Sequence, residues 1–470
     1  MNTKMVTRRE YLRMSALMVA GVGLVACGAQ PNPGDSAASG AQAPAEEITN
    51  ITFMGWGGPE ESQGVLDMIT RFEELNPTIK VTWQHTPEDY MTKLIAMIAS
   101  GTSPDTLFTP QDYYKEFCKQ GLMLDIQDYL DTDSEIDTDT YFLQPQEDGR
   151  SAYNGRWHGI GCCWVGAHMF YNSDMFAEAG IEPPSNDPDQ AWSWDHFVEV
   201  AKQFTVDSQG NHPDDAGFDP DNIQQWGIFW STGGWHQESI SLLNGVKPLD
   251  AESNTFKLDD PAAIEAIQNV ADLMYKHHVA PVATNFQDLG MSSTQMLENR
   301  KLAMVMEGTY TLAWTTKINA TLGTACPPKM KQTSSLVVAD VRGAMKATKF
   351  PDAAYKWVRM TGDPEYQSIF LKMGLWWPNQ TALMTAEGLN SWISERKGPE
   401  DGVHPAGYYD LVDKFQRSHT EAWVCPPGFP EASQIVYSGL ESVWNGTQTA
   451  QAAIESFIDD ANGVLAAASS

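Results

Sequence analysis

Tryptophan residues recur in loops of this chain that contain glycine or proline. The sequence has 16 Trp against 15 Tyr, although Trp is usually the rarer residue. A flat aromatic ring in a loop can stack on the apolar C–H face of a ring-shaped ligand such as a sugar. The alternative is that each ring is buried in a core, where Trp is usually found. We predict stacking surfaces at Trp56, Trp230, Trp235, Trp376 and Trp377.

Several loops and segment ends also carry carboxylate or amide side chains. Such groups could form hydrogen bonds with the hydroxyl rim of a sugar. Glu61 follows the loop GWGGPE, Gln111 and Asp112 belong to the loop TPQD, and Glu307 follows the apolar segment at 302–306. A buried carboxylate that accepts two hydroxyl groups forms charge-assisted hydrogen bonds, each roughly twice as strong as a neutral one. We predict that these four residues bind the rim. For Glu307 the alternative is a solvated carboxylate or a structural ion pair.

The same residue types also suit the cleavage of a glycosidic bond. Hydrolysis needs two carboxyl groups about 5 to 9.5 Å apart across that bond. A chain with 61 acidic residues can supply such a pair, so a secreted glycoside hydrolase or lyase is the alternative function. The sequence contains no G-x-S-x-G segment. The composition does not exclude an enzyme, and we predict a binding protein that is not an enzyme.

Neither a metal nor another cofactor is predicted. The aspartates at 207–221 are hard oxygen ligands that would suit Ca²⁺, but their spacing does not match an EF-hand, so a solvated acidic loop is favoured. Five cysteines remain besides Cys27, and none has C-x-x-C spacing. Their odd number argues against a disulfide framework. A bridge between Cys326 and Cys425 is an open alternative.

The elements that must position these residues alternate between strand and helix. Residues 51–55 alternate as a strand, and Pro59 opens a helix. A strand over 79–83, a helix capped by Thr86 and a strand over 105–108 follow. This β-α-β-α-β start predicts an α/β fold with a parallel sheet and helices on both faces. Ligands of such sheets bind beyond the carboxyl ends of the strands, where GWGGPE and TPQD lie.

Five later elements are also recognisable. Ser193-Trp194-Asp195 starts one helix, and Asp260-Pro261 opens another. Residues 302–306 form a compact apolar strand. The segment 350–373 predicts two helices, broken at 362–364.

The stretch TRREYLRMSALMVAGVGLVACG, over 7–28, combines a positive head with a short apolar run. The run has about a dozen residues, whereas a membrane-spanning helix needs roughly 20, which predicts a signal peptide over 1–26. Its T-R-R-x-Y-L-R pattern resembles the twin-arginine export signal. The four residues LVAC, over 24–27, resemble the lipobox, in which the cysteine, here Cys27, is lipidated. An ordinary signal with an incidental Cys27 is the alternative. Residues 27–48 are predicted to comprise the lipidated cysteine and a flexible tether of about 25 Å.

The acidic composition limits the partners. Without residues 1–26 the chain would keep 26 of its 30 basic residues and 60 of its 61 acidic residues, a net charge of −34. Such a surface repels phosphate backbones, so nucleic acid is not an expected partner. No second apolar run reaches membrane-spanning length, which predicts a soluble body attached through its lipid alone. We expect a monomer.

Several segments, taken in order, resemble one known family. They cover nearly the whole chain from Ile48 and are FEELNPTIKVTWQ, IASGTSPDTLF, GRWHGIGCCWVGAHMFYNSDMFAEAGIEPP, SWDHFVEVAKQFT, ENRKLAMVMEGTY, FPDAAYKWVRMTGDPEYQSIF and the WWP loop. Together they resemble the extracellular solute-binding proteins of bacterial ABC importers, in the sugar-binding, maltose-binding-like group. The segment ENRKLAMVMEGTY departs from the family pattern, because Asn299-Arg300-Lys301 stand where a glycine is usual.

The resemblance implies an α/β, two-lobe periplasmic-binding-protein-like fold with hinge crossovers between the lobes. The implied crossovers lie near 161–165, 304–308 and 338–343. The implied lobe one comprises 49–162 and 306–338, and the implied lobe two comprises 163–305 and 339–465. Trp164 would then lie at the first hinge, Tyr310 after the second and Glu307 beside the cleft, which adds Trp164 and Tyr310 to the expected ligand-binding residues.

The resemblance also implies a function. Such a receptor captures a carbohydrate, either an oligosaccharide or a sugar derivative, in the cleft between its lobes and delivers it to the permease subunits of an ABC transporter. With the predicted signal and lipid, it would lie outside the cytoplasm, anchored to the outer face of the cell membrane. The identity of the sugar and its number of units stay open.

Overall fold

The computed structural model describes residues 47–137, 151–315, 320–396 and 402–469. The predicted signal peptide, Cys27 and most of the predicted tether lie outside these residues. Among the helices within the described ranges, none is long and apolar enough to cross a membrane.

The described strands form one large mixed sheet and two small two-stranded ones. In chain order they are β1 (Thr49–Gly55), β2 (Ile79–His85), β3 (Thr106–Pro110), β4 (Ala152–Tyr153), β5 (Arg156–Trp157), β6 (Gly159–Asn172), β7 (Val206–Asp207), β8 (Ile223–Trp230), β9 (Leu249–Asp250), β10 (Thr255–Phe256), β11 (Leu302–Gly308), β12 (Leu322–Ala325), β13 (Ser335–Ala344) and β14 (Thr420–Ala422). The large sheet has the order β2-β1-β3-β13-β6-β11-β8-β7, with β12 beside β6 and β14 beside β13.

The described α-helices flank these strands. They are α1 (Pro59–Leu75), α2 (Tyr90–Ala99), α3 (Gln111–Lys119), α4 (Gln127–Leu130), α5 (Ser173–Ala179), α6 (Trp194–Phe204), α7 (Trp235–Ser239), α8 (Pro261–Tyr275), α9 (Ala283–Leu289), α10 (Ser293–Glu298), α11 (Thr311–Thr315), α12 (Pro351–Met360), α13 (Pro364–Lys372), α14 (Ala386–Trp392), α15 (Tyr408–Asp410), α16 (Phe429–Trp444) and α17 (Ala450–Ser469). A π-helical turn, Leu411–Gln416, continues α15.

The predicted β-α-β-α-β start is confirmed. β1 pairs in parallel with both β2 and β3, and α1 begins at the predicted Pro59. The predicted start of α2 is wrong, because this helix begins at Tyr90 after Asp89, which has a left-handed backbone (φ 54°). Thr86 lies four residues before this helix, and its amide donates to the Gly55 carbonyl at 2.8 Å, which prolongs the β1–β2 ladder.

The later elements also match their predictions. The Ser193 hydroxyl accepts a hydrogen bond from the His196 amide at the start of α6, and the Asp260 carboxylate accepts one from the Ala262 amide at the start of α8. The predicted apolar strand is β11, and the predicted break over 362–364 separates α12 from α13. The sheet as a whole is mixed rather than parallel, because β6 runs antiparallel to both β11 and β13.

One long strand links the two halves of the large sheet. The first part of β6, from Gly159 to Gly166, pairs with β13, which in turn pairs with β3. The second part, from Ala167 to Asn172, pairs with β11 and β12. A single continuous strand therefore runs through both halves, and the chain crosses between them along it.

The two largest apolar cores belong to these two halves. Trp357, Tyr366 and Phe415 pack in the first core together with Phe53 from β1. The predicted boundaries place these three residues in lobe two. After β6 the chain contributes to the first core again at Leu312, Ala313 and Cys326 and then through β13, and it returns to the second core at Trp423. The segment between β13 and Trp423 therefore contributes to the first core and not to the second.

A glycine in β6 makes room for a core tryptophan. A Cβ atom added at Gly166 would lie 2.3 Å from the Trp377 ring, which is fully buried. We expect Gly166→Ala to lower the free energy of unfolding by about 1–3 kcal/mol, since overpacking a tight core costs that much. The measurement is denaturant unfolding. Gly463→Ala is the control: its added Cβ meets nothing within 4 Å inside α17, so it should not destabilise the fold.

Candidate ligand-binding cleft

A cleft of about 540 Å³ opens where loops from both halves of the sheet meet. It lies beyond the carboxyl end of β1, as predicted for the loop GWGGPE, and includes the first turn of α1. The strands β6 and β13 contribute Val165 and Val338. The described lining residues are Trp56, Gly57, Gly58, Glu60, Glu61, Pro87, Tyr90, Val165, Trp235, Tyr310, Ala313, Val338, Leu375 and Trp376.

The ring of Trp56 is held by edge contacts with two other aromatic rings. Its centroid lies 4.8 Å from that of Tyr90 and 5.2 Å from that of Phe108, with interplanar angles of 85° and 84°. The Tyr90 hydroxyl donates to the Phe108 carbonyl at 2.6 Å and fixes this group. Trp56 is half-buried, so a fixed aromatic surface borders the cleft.

Trp376 packs on buried side chains that were not predicted from the sequence. Its ring stacks on Phe370 with centroids 4.0 Å apart. The guanidinium carbon of the fully buried Arg342 lies 5.5 Å from the Trp376 ring and 3.3 Å from the Phe108 ring, a cation–π arrangement. Arg342 carries no loop or aromatic signal in the sequence, since it is an ordinary residue of strand β13.

Behind Trp235 and Tyr310 lies a buried group of polar side chains. The Tyr310 hydroxyl donates to Glu307 Oε1 at 2.8 Å, and His236 Nε2 lies 3.1 Å from that oxygen. Burial raises the pKa of Glu307, but the hydrogen bonds with His236 and Tyr310 outweigh burial and lower it below its ordinary value. Glu307 therefore supports the wall of the cleft and does not line it. His236 was not predicted.

Besides Glu307, four predicted residues lie outside the lining and inside the protein. Trp164 and Trp377 are fully buried, and their backbones exchange hydrogen bonds of 3.0 and 2.8 Å. Trp230 packs against Trp194 in the second core. The Gln111 side chain bonds the Trp423 carbonyl and the Ala339 amide. Because their side chains are engaged in the interior, the structure does not support stacking by Trp164, Trp230 or Trp377. For the same reason it does not support a rim role for Gln111.

Asp112 belongs to a second acidic site, away from the cleft lining. Burial raises the pKa of Asp112 to about 6, against hydrogen bonds from backbone amides. Its charge acts on Glu238, which is fully buried. Glu238 accepts hydrogen bonds from Trp423 Nε1 at 2.9 Å and from the Tyr437 hydroxyl at 2.8 Å. Burial raises the pKa of Glu238 to about 7.

The acidic loop after α6 is organised by hydrogen bonds. The Asp207 carboxylate accepts hydrogen bonds from the amides of Gln209, Asn211 and Asp219 at 2.8 to 2.9 Å. Burial raises the pKa of Asp207, but these bonds outweigh it and lower the pKa to about 2. The carboxylate oxygens of Asp207 are thus engaged by donors within the loop. Among the described residues, no group of three or more His, Cys, Asp or Glu side chains could hold a metal ion.

The cysteines of the described chain are buried free thiols. The alternative bridge between Cys326 and Cys425 is not formed; the Cys326 thiol donates to the Asn186 carbonyl at 3.2 Å instead. Burial raises the pKa of the Cys326 thiol. The sulfur atoms of Cys162 and Cys163 lie 3.7 Å apart within β6.

The chain belongs to the family of bacterial extracellular solute-binding proteins, whose family model matches residues 57–368. It is 28% identical over 238 residues to the Escherichia coli protein YcjN, which is provisionally described as an ABC transporter periplasmic-binding protein. The matched region covers 48% of this chain and half the length of YcjN.

Two solved structures share the fold. An ABC substrate-binding protein of Listeria monocytogenes, in complex with cycloalternan, has a TM-score of 0.75 at 20% identity and covers 89% of this chain and 100% of that one. The maltose-bound MalE3 of T. maritima has a TM-score of 0.70 at 18% identity, with the same coverage of both chains. The predicted two-lobe periplasmic-binding-protein-like fold is therefore confirmed.

Proposed function

We propose that this chain is an extracytoplasmic receptor that captures a carbohydrate between its lobes and delivers it to an ABC permease. The observation that carries this proposal is the cleft itself, in which Trp56, Trp235, Tyr310 and Trp376 accompany the carboxylates of Glu60 and Glu61. Aromatic faces suit the C–H face of a sugar, and carboxylates suit its hydroxyl groups. The oligosaccharides named for the two structural relatives agree with this chemistry.

The lining also favours a neutral ligand. Its described residues include two carboxylates but no Lys, Arg or His. A phosphorylated or acidic sugar would meet like charge there, with little to compensate it. We therefore propose a neutral sugar or oligosaccharide.

Capture rather than hydrolysis is favoured by the position of the two carboxylates. Glu60 and Glu61 are consecutive in the first turn of α1 and approach the cleft from one element. Glycoside hydrolysis uses carboxyl groups that flank the scissile bond. The receptor is therefore proposed to lack enzymatic activity.

Closure of the lobes on the ligand is part of this proposal. Core packing favours a first lobe built from residues 47–137, from 151 through the first part of β6 and from 337–415, with Leu312, Ala313 and Cys326 packed in its core. The rest of the described chain would form the second lobe. Rotation of the two against each other would bend β6, the strand that passes through both halves. Closure should reduce the radius of gyration in X-ray scattering when a tight ligand is added.

The test is a thermal-shift screen of residues 48–470 against maltose, maltotriose, cycloalternan, other neutral mono- and oligosaccharides and polyols, with product analysis of every hit. We expect one sugar class to raise the melting temperature and to be recovered intact. Cleavage of the hit would support the glycoside hydrolase or lyase instead. If no compound of the panel raises the melting temperature, carbohydrate capture is contradicted.

We further propose export by the twin-arginine route and anchoring through Cys27, as a monomer at the outer face of the membrane. Cys27→Ala should release the mature protein from the membrane fraction, because no acyl chains can then be attached. Replacement of Arg8 and Arg9 by Lys should leave precursor in the cytoplasm. Fractionation and immunoblotting measure both results, and membrane retention of Cys27→Ala would contradict the anchor.

A further inference from the structure

Two aromatic side chains of the cleft rest on a shared support. Trp235 and Tyr310 line the cleft, whereas His236 and Glu307 lie behind them and are at least nine-tenths buried. The Tyr310 hydroxyl is 2.8 Å from Glu307 Oε1 and 3.1 Å from His236 Nε2. His236 Nε2 is also 3.1 Å from the same Glu307 oxygen. Three polar groups thus converge on one point.

The hydrogens in this group can be assigned from its chemistry. An ionised carboxylate only accepts, so each of its close partners must donate. The Tyr310 hydroxyl and the Nε2–H of His236 therefore both point to Glu307, with the Gly308 amide as a third donor at 3.1 Å. The Tyr310 hydroxyl therefore bonds the buried carboxylate of Glu307. The aromatic ring of Tyr310 is the part that can contact a ligand in the cleft.

Both aromatic rings are also held sterically. The His236 ring stacks on the Trp235 ring with centroids 3.9 Å apart and an interplanar angle of 24°. Gly234, just before them, has φ 53° and ψ −134°, a backbone that L side chains rarely adopt. A Cβ atom at Gly308 would lie 2.4 Å from the Tyr310 ring, so that ring lies directly on the backbone.

We propose that His236 and Glu307 are positioning residues of the cleft, which hold Trp235 and Tyr310 as two fixed apolar surfaces for a sugar ring. This inference rests on the proposed function, because it concerns the same cleft. The imidazole acts in two ways: its ring fixes Trp235 by stacking, and its Nε2–H completes the bonding of the carboxylate that holds Tyr310.

Variants can separate these two contributions. His236→Phe keeps a flat ring against Trp235 but removes the N–H, His236→Gln keeps an N–H but removes the stacking ring, and His236→Ala removes both. In calorimetry with the best sugar of the screen, we expect His236→Ala to bind about ten-fold more weakly, as expected for the loss of one hydrogen bond and one stacked contact. The other two variants should lie between this and the parent. His196→Ala is the control, because His196 contacts Trp192 outside the lining.

A second measurement needs no ligand. In protein labelled with 5-fluorotryptophan, the ¹⁹F resonance of Trp235 is assigned as the one that Trp235→Phe removes. We expect it to shift in His236→Ala and in His236→Gln, and to stay near its parent position in His236→Phe, where a stacked ring remains. A resonance that stays in place in His236→Ala would overturn the proposal, as would parent affinity in that variant. If no sugar binds, the proposed function fails, and the ¹⁹F result still decides whether His236 positions Trp235.

Discussion

Trp56→Ala is expected to weaken sugar binding by about 1–3 kcal/mol, that is, by roughly five- to 150-fold, by analogy with the stacking of bases on aromatic side chains. The ring borders the cleft and is held at its edges by Tyr90 and Phe108. Truncation therefore removes a preformed apolar surface and leaves a void that water fills. Isothermal titration calorimetry with the sugar identified by the screen measures the loss.

A second half-buried tryptophan provides the matched control. Trp192 contacts His196 edge-on with centroids 5.0 Å apart and is absent from the described lining of the cleft. Trp192→Ala should therefore bind the sugar as tightly as the parent does, although both variants lose a large side chain. Parent-like affinity in Trp56→Ala would remove Trp56 from the site.

Glu238→Gln is expected to change how stability depends on pH. The folded protein raises the pKa of Glu238 from 4.5 to about 7 through burial. A carboxyl group with a raised pKa stabilises the fold below its unfolded pKa, and this contribution is lost as the pH rises through the folded value. Between pH 4.5 and 8 the parent should thus lose about 3 kcal/mol relative to Glu238→Gln, which has no proton to release.

Urea unfolding of both proteins across this pH range measures the difference. Glu431→Gln is the control, because Glu431 is exposed and meets water in both states. Equal slopes for the parent and Glu238→Gln would contradict a buried, protonated Glu238. The comparison must be made between variants, since other buried groups titrate in the same range.

One of these groups acts in the opposite direction. His404 is fully buried, its Nδ1 accepts from the Ser394 amide at 3.1 Å, and its Nε2 lies 3.1 Å from the Leu371 carbonyl. Burial lowers the pKa of His404 to about 4. The unfolded chain therefore binds a proton that the folded chain does not bind between pH 6.5 and 4, so this residue lowers stability as the pH falls through that window.

The local sequence predicted elements better than it predicted the direction of side chains. Strand and helix periodicity placed β1, α1 and the loop with Trp56 at the cleft, because these features depend on neighbouring residues. Trp376 and Trp377 are adjacent and both are buried, yet of the two only Trp376 reaches the lining of the cleft. The difference arises because the backbone of Trp377 pairs with Trp164, more than 200 positions away, and a long-range pairing leaves no local signal.

The support behind the cleft was partly visible in the sequence and partly not. Glu307 was predicted from its place after an apolar strand, and the structure places it one layer behind the lining. His236 could have been predicted from the segment WSTGGWH, in which it follows Trp235, but nothing local shows that a carboxylate from β11 meets its ring. Gln111 was misjudged for the same reason, since both of its partners come from segments more than 200 residues downstream.

The shared first core also constrains how the chain is made. Phe53 and Phe415 pack in the same core, so the N-terminal strands cannot complete this core until most of the chain has left the ribosome. A nascent chain that ends before β13 would expose an unpaired edge of β3, which is a template for aggregation. Contacts of such long sequence separation form slowly. Biosynthesis should therefore depend on chaperones that shield these strands, and translation that stalls before residue 415 should yield insoluble fragments rather than a folded first lobe.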